Sequence, residues 1–178
     1  MFLIKCLIGV LNNVFNSLLE SLPKLGGSLY SLTLIINENS YDLRLVESAK
    51  LTGKYIALDD HISISELKKI VGEMDIIYSD TWIDMEYFNN PKFTLDNNAR
   101  VDKMLPYQIN EELMLNSKAI VMHDMPMHSG FEISRDTIEK NINTIMLQSE
   151  NRRHVSKGIL LEVNECSMEK FQSLLNAN

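Results

Sequence analysis

Cysteine is scarce in this sequence, which has only two, Cys6 and Cys166, among 178 residues. They lie far apart and in no spacing typical of a metal site, so we expect a reduced, cytoplasmic setting. Basic residues are also few, 17 against 24 acidic ones. The resulting net charge of −7 disfavours nucleic acids and anionic membranes as partners.

Long hydrophobic runs are absent, since no stretch reaches the roughly 18 apolar residues of a transmembrane helix. The apolar start "MFLIKCLIGV" is interrupted by Lys5, and no small-residue cleavage site follows it. We therefore interpret this start as a buried strand. Chain termini are usually peripheral, so a core strand at the start leads us to expect that a further segment ordinarily precedes it.

Apolar runs alternate with amphipathic segments along the chain. The predicted strands are residues 2–10, 28–36, 54–59, 75–80 and 119–123. Between strands 4 and 5 we predict one helical piece near 94–104, and after the last strand three helices, at about 134–140, 149–163 and 167–176. The pattern predicts one domain over residues 1–178, a Rossmann-like three-layer α/β sandwich. Its five-stranded parallel sheet would have the order 3-2-1-4-5.

Polar segments follow three of these strands, at the edge where parallel sheets bind ligands. The segments are "GVLNNVFNS" after strand 1, "SDTWIDME" after strand 4 and "HDMPMHSG" after strand 5. They meet near the expected switch point between strands 1 and 4, and they therefore predict a ligand site. The first has a single glycine, Gly9, which excludes a dinucleotide-binding fingerprint.

Two of these segments allow both a structural and a functional interpretation. Asn12 and Asn13 either cap a helix or hold the carboxylate and amine of a substrate. Asp80, Trp82 and Asp84 either form turns and packing contacts or make an acidic loop for a cationic amine.

The third segment contains two histidines, His123 and His128. With Glu132 or His154 as a third ligand they would suit zinc. Pro126 between them, however, prevents the helical His-x-x-x-His arrangement of many zinc enzymes. We therefore favour a hydrogen bond from His123 to a substrate or to the backbone, and we predict neither a metal nor another cofactor.

Basic residues gather in "SENRRHVSKG", which includes Arg152 and Arg153. A charged helix start of this kind is either simply solvated or clamps a phosphate through a bidentate arginine.

Five segments together resemble the aspartate/ornithine carbamoyltransferase family. They are "GVLNNVFNSLL", "SDTWIDM", "YQINEELM", "MHDMPMHSGFEI" and "ENRRHVSKGILL". They occur in the family's order and cover nearly the whole chain, but they correspond only to its amino-acid-binding domain. The Ser-x-Arg-Thr and His-Pro-x-Gln segments of the carbamoyl-phosphate domain do not occur. The resemblance implies transfer of a carbamoyl group from carbamoyl phosphate to an amino-acid or amine acceptor once a partner half completes the site, the isolated chain being inactive.

The resemblance also implies roles for residues after strands 1 and 4. Asn13 resembles the asparagine that contacts the head group of the acceptor, and Asp80 the aspartate that orients its amine. Met85 matches the family's Asp-x-x-x-Ser-Met loop, in which Asp84 replaces the serine. We expect any acceptor to touch Asn13 and Asp80.

After strand 5 the family's His-Cys-Leu-Pro becomes His123, Asp124, Met125 and a proline. The resemblance implies that this loop cradles substrate and that Arg152 reaches carbamoyl phosphate. The catalytic set would be Asp80, His123 and Arg152.

The substitutions at Asp84 and Asp124 add negative charge to a site that must also bind a dianionic phosphate. They favour a cationic acceptor and leave the acceptor unassigned. Three functions compete: half of a carbamoyltransferase completed by a separate carbamoyl-phosphate-binding chain or working as a homo-oligomer, a non-catalytic binding or regulatory module, and a metal-dependent hydrolase built on His123 and His128.

Overall fold

The computed structural model describes residues 4–10, 12–33, 42–59, 61–83 and 85–175. Its centre is a sheet of five parallel strands. The strands are β1 (Ile4–Gly9), β2 (Ser28–Thr33), β3 (Tyr55–Ala57), β4 (Ile76–Ser79) and β5 (Ile120–His123). Their order, β3-β2-β1-β4-β5, confirms the predicted topology. Residues 2–3 and 34–36 of the predicted strands lie outside the described residues.

Seven α-helices surround the sheet in the described part of the chain. They are α1 (Asn13–Lys24), α2 (Leu43–Leu51), α3 (Ile64–Gly72), α4 (Met85–Phe88), α5 (Thr94–Met104), α6 (Glu111–Met114) and α7 (Arg135–Leu175). Short 3-10 turns at Pro91–Phe93 and Leu105–Tyr107 flank α5. The α5 bounds coincide with the helical piece predicted at 94–104.

Helices cover the sheet on both faces because the side chains of its inner strands are apolar in both directions. Along β1, Cys6 and Ile8 enter one core, whereas Leu7 enters the other. This alternation is the two-residue period of a strand. The first core also takes buried side chains from α3, α5, α6 and α7, and the second takes them from α1 and α2. The fold is thus the predicted α/β class.

Helix α7 differs from the prediction of three separate helices, because it runs unbroken for 41 residues. Residues 141–148, between the first two predicted helices, are held in the helical conformation by side-chain contacts. Asn141 accepts a hydrogen bond from the Val121 N–H and donates one to the Thr137 carbonyl, and Ile145 is buried in the core. Helix propensity is a weak preference that such contacts override.

At 1.5 Å per residue α7 is about 60 Å long. All described side chains from residue 149 to 165 are exposed, so this half of the helix extends away from the sheet. No helix of the described part of the chain combines the length and the apolar character needed to cross a membrane.

Candidate active site at the carboxyl edge of the sheet

The switch point lies between β1 and β4, which pair directly although five elements separate them in the chain. The Ser79 hydroxyl at the end of β4 donates to the Ile8 carbonyl of β1 at 3.0 Å. This buried link holds the two strand ends side by side, so the segments that follow β1 and β4 emerge together.

Asn12 follows β1 and caps α1. Its Oδ1 accepts the N–H groups of Val14 and Phe15, at 3.0 and 3.1 Å, and satisfies two of the free donors of the helix start. The other end of the same amide donates to Asp80 Oδ2. The cap thus fixes the Asn12 side chain, and its Nδ2 donates to the Asp80 carboxylate.

Asp80 follows β4 and is 8% exposed. Its Oδ1 accepts the N–H of Thr81 at 2.7 Å, and its Oδ2 accepts the amide of Asn12. Both carboxylate oxygens are thus held by groups from two different loops. The orientation is set before any ligand binds, which is what a recognition group requires.

Asp124 follows β5 and lies within hydrogen-bonding reach of the Asp80 carboxyl. Burial, the charge of Asp80 and a hydrogen bond with Asp80, in that order of size, together raise the pKa of Asp124 to about 7. Asp124 Oδ1 is buried without a hydrogen-bond partner among the described residues. The neighbouring negative charge and the burial therefore both favour the protonated form of Asp124.

His123, at the end of β5, is fully buried. Its Nδ1 accepts the Met125 N–H at 3.0 Å. Nε2 is 3.3 Å from Glu132 Oε1, which also accepts the His128 N–H. Both ring nitrogens of His123 thus face protein groups, an arrangement that anchors the loop after β5. Towards the backbone the His123 ring accepts, from the Met125 N–H, and does not donate; its contact with a substrate stays a prediction.

His128 packs its ring flat on Phe88, with 3.8 Å between ring centroids and 7° between planes. Neither of its ring nitrogens has a hydrogen-bond partner within the described ranges. His154, the other third ligand considered for zinc, is exposed on α7 beside Glu150. In the part of the chain that the structure describes, no three His, Cys, Asp or Glu side chains are grouped as a metal site would need.

Gln148 on α7 is a site residue that the sequence did not suggest. Its Oε1 accepts the His123 N–H at 3.0 Å, and its Nε2 donates to the Tyr78 hydroxyl at 3.2 Å. It therefore ties α7 to the ends of β4 and β5, beside Asp80 and Asp124. Only the tertiary fold brings these residues together, and no local motif marks Gln148.

Two of the predicted site residues lie at the margin of this cluster. Asn13 is the first residue of α1 and is exposed, and it is the preceding residue, Asn12, that contacts Asp80. Arg152 is also exposed, on the same face of α7 as Gln148 and one turn beyond it, about 6 Å further along the axis. Their ligand contacts stay predictions.

The remaining predicted residues belong to the two loops. Asp84 lies outside the described residues, and Met85 begins α4. Met125 is half-buried and has a left-handed φ of 57°, directly before the cis Pro126. Trp82 is buried, and its carbonyl accepts the Arg100 guanidinium at 3.1 Å, which fixes the loop after β4 against α5.

A cavity of about 310 Å³ adjoins the loop after β4. Ile83 of that loop, Phe88 of α4 and Phe131 of the loop after β5 form its apolar wall, and Asn97 and Asn98 of α5 supply amides. A cavity of this size suits a small ligand.

Because Asp124 lies half-buried beside Asp80, we expect the stability of the folded chain to depend on pH. Because the pKa of Asp124 is raised, the folded chain holds this proton more tightly than the unfolded chain. The resulting stabilisation is complete below the ordinary pKa of 3.8 and is lost as the pH rises to about 7. Asp124→Asn, which cannot ionise, should melt about 2–6 °C above the wild type near pH 8 and lose most of that difference near pH 4.

Thermal melts over this pH range, monitored by circular dichroism, would measure the effect. Asp96→Asn, on the exposed surface of α5, is the matched control and should follow the wild type throughout. Parallel pH profiles for wild type and Asp124→Asn would contradict a raised pKa of Asp124.

The architecture and the cluster together define the class: an α/β domain with a cluster of polar side chains at the switch point of a parallel sheet, the edge at which such sheets bind ligands. The family model described as "Aspartate/ornithine carbamoyltransferase, Asp/Orn binding domain" matches residues 4–163. The chain therefore belongs to the aspartate/ornithine carbamoyltransferase family, as its motifs predicted.

Relatives named ornithine carbamoyltransferase match along most of the chain. The protein of Archaeoglobus fulgidus is 31% identical over 161 residues, covering 88% of this chain and 47% of the relative. The protein of Methanosphaera stadtmanae is 34% identical over 164 residues, covering 88% of this chain and 49% of the relative.

A solved structure, the anabolic ornithine carbamoyltransferase of Campylobacter jejuni, superposes with a TM-score of 0.71 at 22% identity and supports the fold. The match covers 91% of this chain and 52% of that one. The chain thus spans about half the length of the relatives that it matches.

Proposed function

We propose that this chain is the amino-acid-binding half of a carbamoyltransferase. It would transfer the carbamoyl group of carbamoyl phosphate to an amine acceptor when a carbamoyl-phosphate-binding half completes the site. The observation that carries this proposal is the junction of Asn12, Asp80 and Asp124 at the ends of β1, β4 and β5. In a chain of this family, that junction is where the acceptor amine is expected.

The reaction that the site suits is attack of a neutral amine on the carbamoyl carbon, with phosphate as the leaving group. No covalent protein intermediate is needed, so the protein contributes orientation and charge. Asp80, fixed by Asn12, would position the amine. Arg152 would face the departing phosphate from α7, and the buried His123 would hold the loop between them.

The outer half of α7 supports the need for a second half. Its exposed apolar side chains are each 58–63% accessible: Val155, Ile159, Leu160, Leu161 and Val163. Burying one such side chain fully is worth about 1.5–3 kcal/mol, so a surface with several of them favours association. We propose that a carbamoyl-phosphate-binding domain or chain covers this surface, and a second copy of this chain is the alternative.

Complementation tests the proposal. The purified chain alone should form no carbamoylated product from carbamoyl phosphate with ornithine or aspartate, because most cationic contacts to the phosphate would be missing. Addition of the carbamoyl-phosphate-binding half of a relative such as the Archaeoglobus fulgidus enzyme should produce turnover with one amine acceptor. Steady turnover by the lone chain would contradict the need for a second half. Absence of turnover with any acceptor in the completed enzyme would favour a non-catalytic module.

Arg152 offers a second measurement in the completed enzyme. Arg152→Ala should lower kcat/KM for carbamoyl phosphate by about 100-fold or more, the usual cost of losing one donor to developing negative charge. Arg153→Ala is the matched control, since the Arg153 guanidinium instead pairs with Glu150 at 3.4 Å on the helix surface. Equal losses in the two variants would show that Arg152 has no particular role.

A further inference from the structure

We infer that Gln148 is a positioning residue, whose side-chain amide sets the direction in which the outer half of α7 leaves the sheet and thereby places Arg152. The part of the inference that concerns Arg152 rests on the proposed function. The part that concerns the direction of α7 is a property of this chain alone. In both parts Gln148 acts through the helix and touches no reactant.

Gln148 lies at the point where α7 parts from the sheet. One turn before it, Ile145 is fully buried in the core. Gln148 itself is half-buried, and every described side chain after it, from residue 149 to residue 165, is exposed. The Gln148 amide is therefore the anchor at the place where the helix becomes exposed.

Strand β5 is the edge of the described sheet, where outward N–H groups have no neighbouring strand to accept them. Side chains of α7 take that place. Asn141 accepts the Val121 N–H at 3.4 Å. Two turns later, Gln148 Oε1 accepts the His123 N–H at 3.0 Å. His123 is fully buried, and a buried N–H without an acceptor is unfavourable, so the contact with Gln148 is maintained.

The other end of the Gln148 amide reaches a second strand. Its Nε2 donates to the Tyr78 hydroxyl of β4 at 3.2 Å. Because a backbone N–H only donates, Oε1 must face His123, which leaves Nε2 for the hydroxyl. One hydrogen bond would set the distance between helix and sheet but allow rotation about that bond. Two bonds to neighbouring strands also fix the rotation of α7 at this point.

The length of the exposed helix makes this anchor important. About 40 Å of α7 follow Gln148, and Arg152 lies about 6 Å along it. The preceding anchors, Ile145 and Asn141, lie about 5 and 10 Å back along the axis. A tilt of about 15° at Gln148 would move Arg152 by about 1.5 Å and the end of α7 by about 10 Å. Displacing a group by about 1 Å in a reacting site can cost about 100-fold in rate.

Distance measurements between spin labels test the direction of α7 on the full chain. Lys157→Cys places one label on the exposed half of α7, and Lys50→Cys places the other on α2. Cys166→Ser removes one native thiol. Cys6 is fully buried, and burial raises the pKa of its thiol to about 12, so it does not take a label. Dilution with unlabelled chain excludes distances between copies.

The chain with Gln148 should give one narrow distance distribution. Gln148→Met keeps the length of the side chain but loses both hydrogen bonds, so the distribution should broaden about twofold or more as the helix tilts. Gln148→Glu should stay narrow, because its carboxylate accepts both the His123 N–H and the Tyr78 hydroxyl. Asn143→Met, at an exposed position of the same helix, is the matched control and should not broaden. An equally narrow distribution for Gln148→Met would overturn the inference.

Tyr78→Phe decides the question if Gln148→Met does not fold. It keeps the buried ring and removes only the hydroxyl that accepts from Gln148. The distribution should then broaden to an intermediate width. No broadening in this variant would show that the second bond does not direct α7, and it would overturn the inference.

In the completed enzyme Gln148 should act through Arg152. Gln148→Met should lower kcat/KM for carbamoyl phosphate about 10- to 100-fold and leave the Kd of the acceptor unchanged, since it displaces Arg152 and not Asp80. Gln148→Glu should retain most of the activity. In an Arg152→Ala background Gln148→Met should cause no further loss, because residues that act through one contact are not additive.

The outcomes separate this inference from the proposed function. Additive losses for Gln148→Met and Arg152→Ala would overturn the link to Arg152 and leave the direction of α7 standing. Narrow distance distributions in all variants would overturn the anchor and leave the proposed function standing. Absence of turnover in the completed wild-type enzyme would overturn the proposed function, whereas the distance measurements would still decide whether Gln148 directs α7.

Discussion

Asp80→Asn should nearly abolish carbamoyl transfer in the completed enzyme while leaving the chain folded. Asparagine keeps the shape and an oxygen that accepts the Thr81 N–H, but it loses the charge that Asn12 orients towards the site. Truncating one partner of a desolvated charged contact costs about 2–5 kcal/mol. In kcat/KM for the acceptor this corresponds to a loss of roughly 30- to 4,000-fold.

The measurement is a steady-state assay of the variant beside Asp96→Asn, which removes an exposed aspartate and should retain full activity. A melting temperature within a few degrees of the wild type would show that the loss arises in the site. Full activity of a folded Asp80→Asn chain would show that Asp80 does not bind the acceptor.

Leu19→Ala should destabilise the chain more than any surface change. Leu19 lies on α1 and is 2% exposed, in the core that also contains Phe15 and Leu22. Leucine-to-alanine changes in well-packed cores cost about 2–5 kcal/mol, a large part of the roughly 5–15 kcal/mol that stabilises a domain. At this length the melting temperature should fall by about 4–20 °C.

Leu95→Ala is the matched control, because Leu95 also lies in a helix but is 84% exposed. Its free energy of unfolding should stay within about 0.5 kcal/mol of the wild type. Urea denaturation measures the free energy of unfolding of both variants. Since α1 carries the Asn12 cap, the Leu19 variant should also weaken acceptor binding whenever it is partly unfolded. Equal stabilities for the two variants would mean that α1 does not pack on the sheet as described.

The sequence by itself determined the order of the strands and the edge of the sheet at which the polar cluster lies. Strand and helix periods are local, and right-handed crossovers between parallel strands leave few topologies, so apolar runs such as β1 and β4 sufficed. The loop motifs also identified the family. Asp80 and Asp124 were predicted as site residues because they lie at the ends of predicted strands and match loops of the family.

Only the tertiary structure decided which atoms meet. Asn12 contacts Asp80 because Asn12 is the residue that caps α1. The sequence of two identical residues does not show which of them is the cap. The contact of Gln148 with His123 joins residues 25 apart in the chain. The raised pKa of Asp124 has the same origin, because burial and the neighbouring charge of Asp80 exist only once β4 and β5 pair.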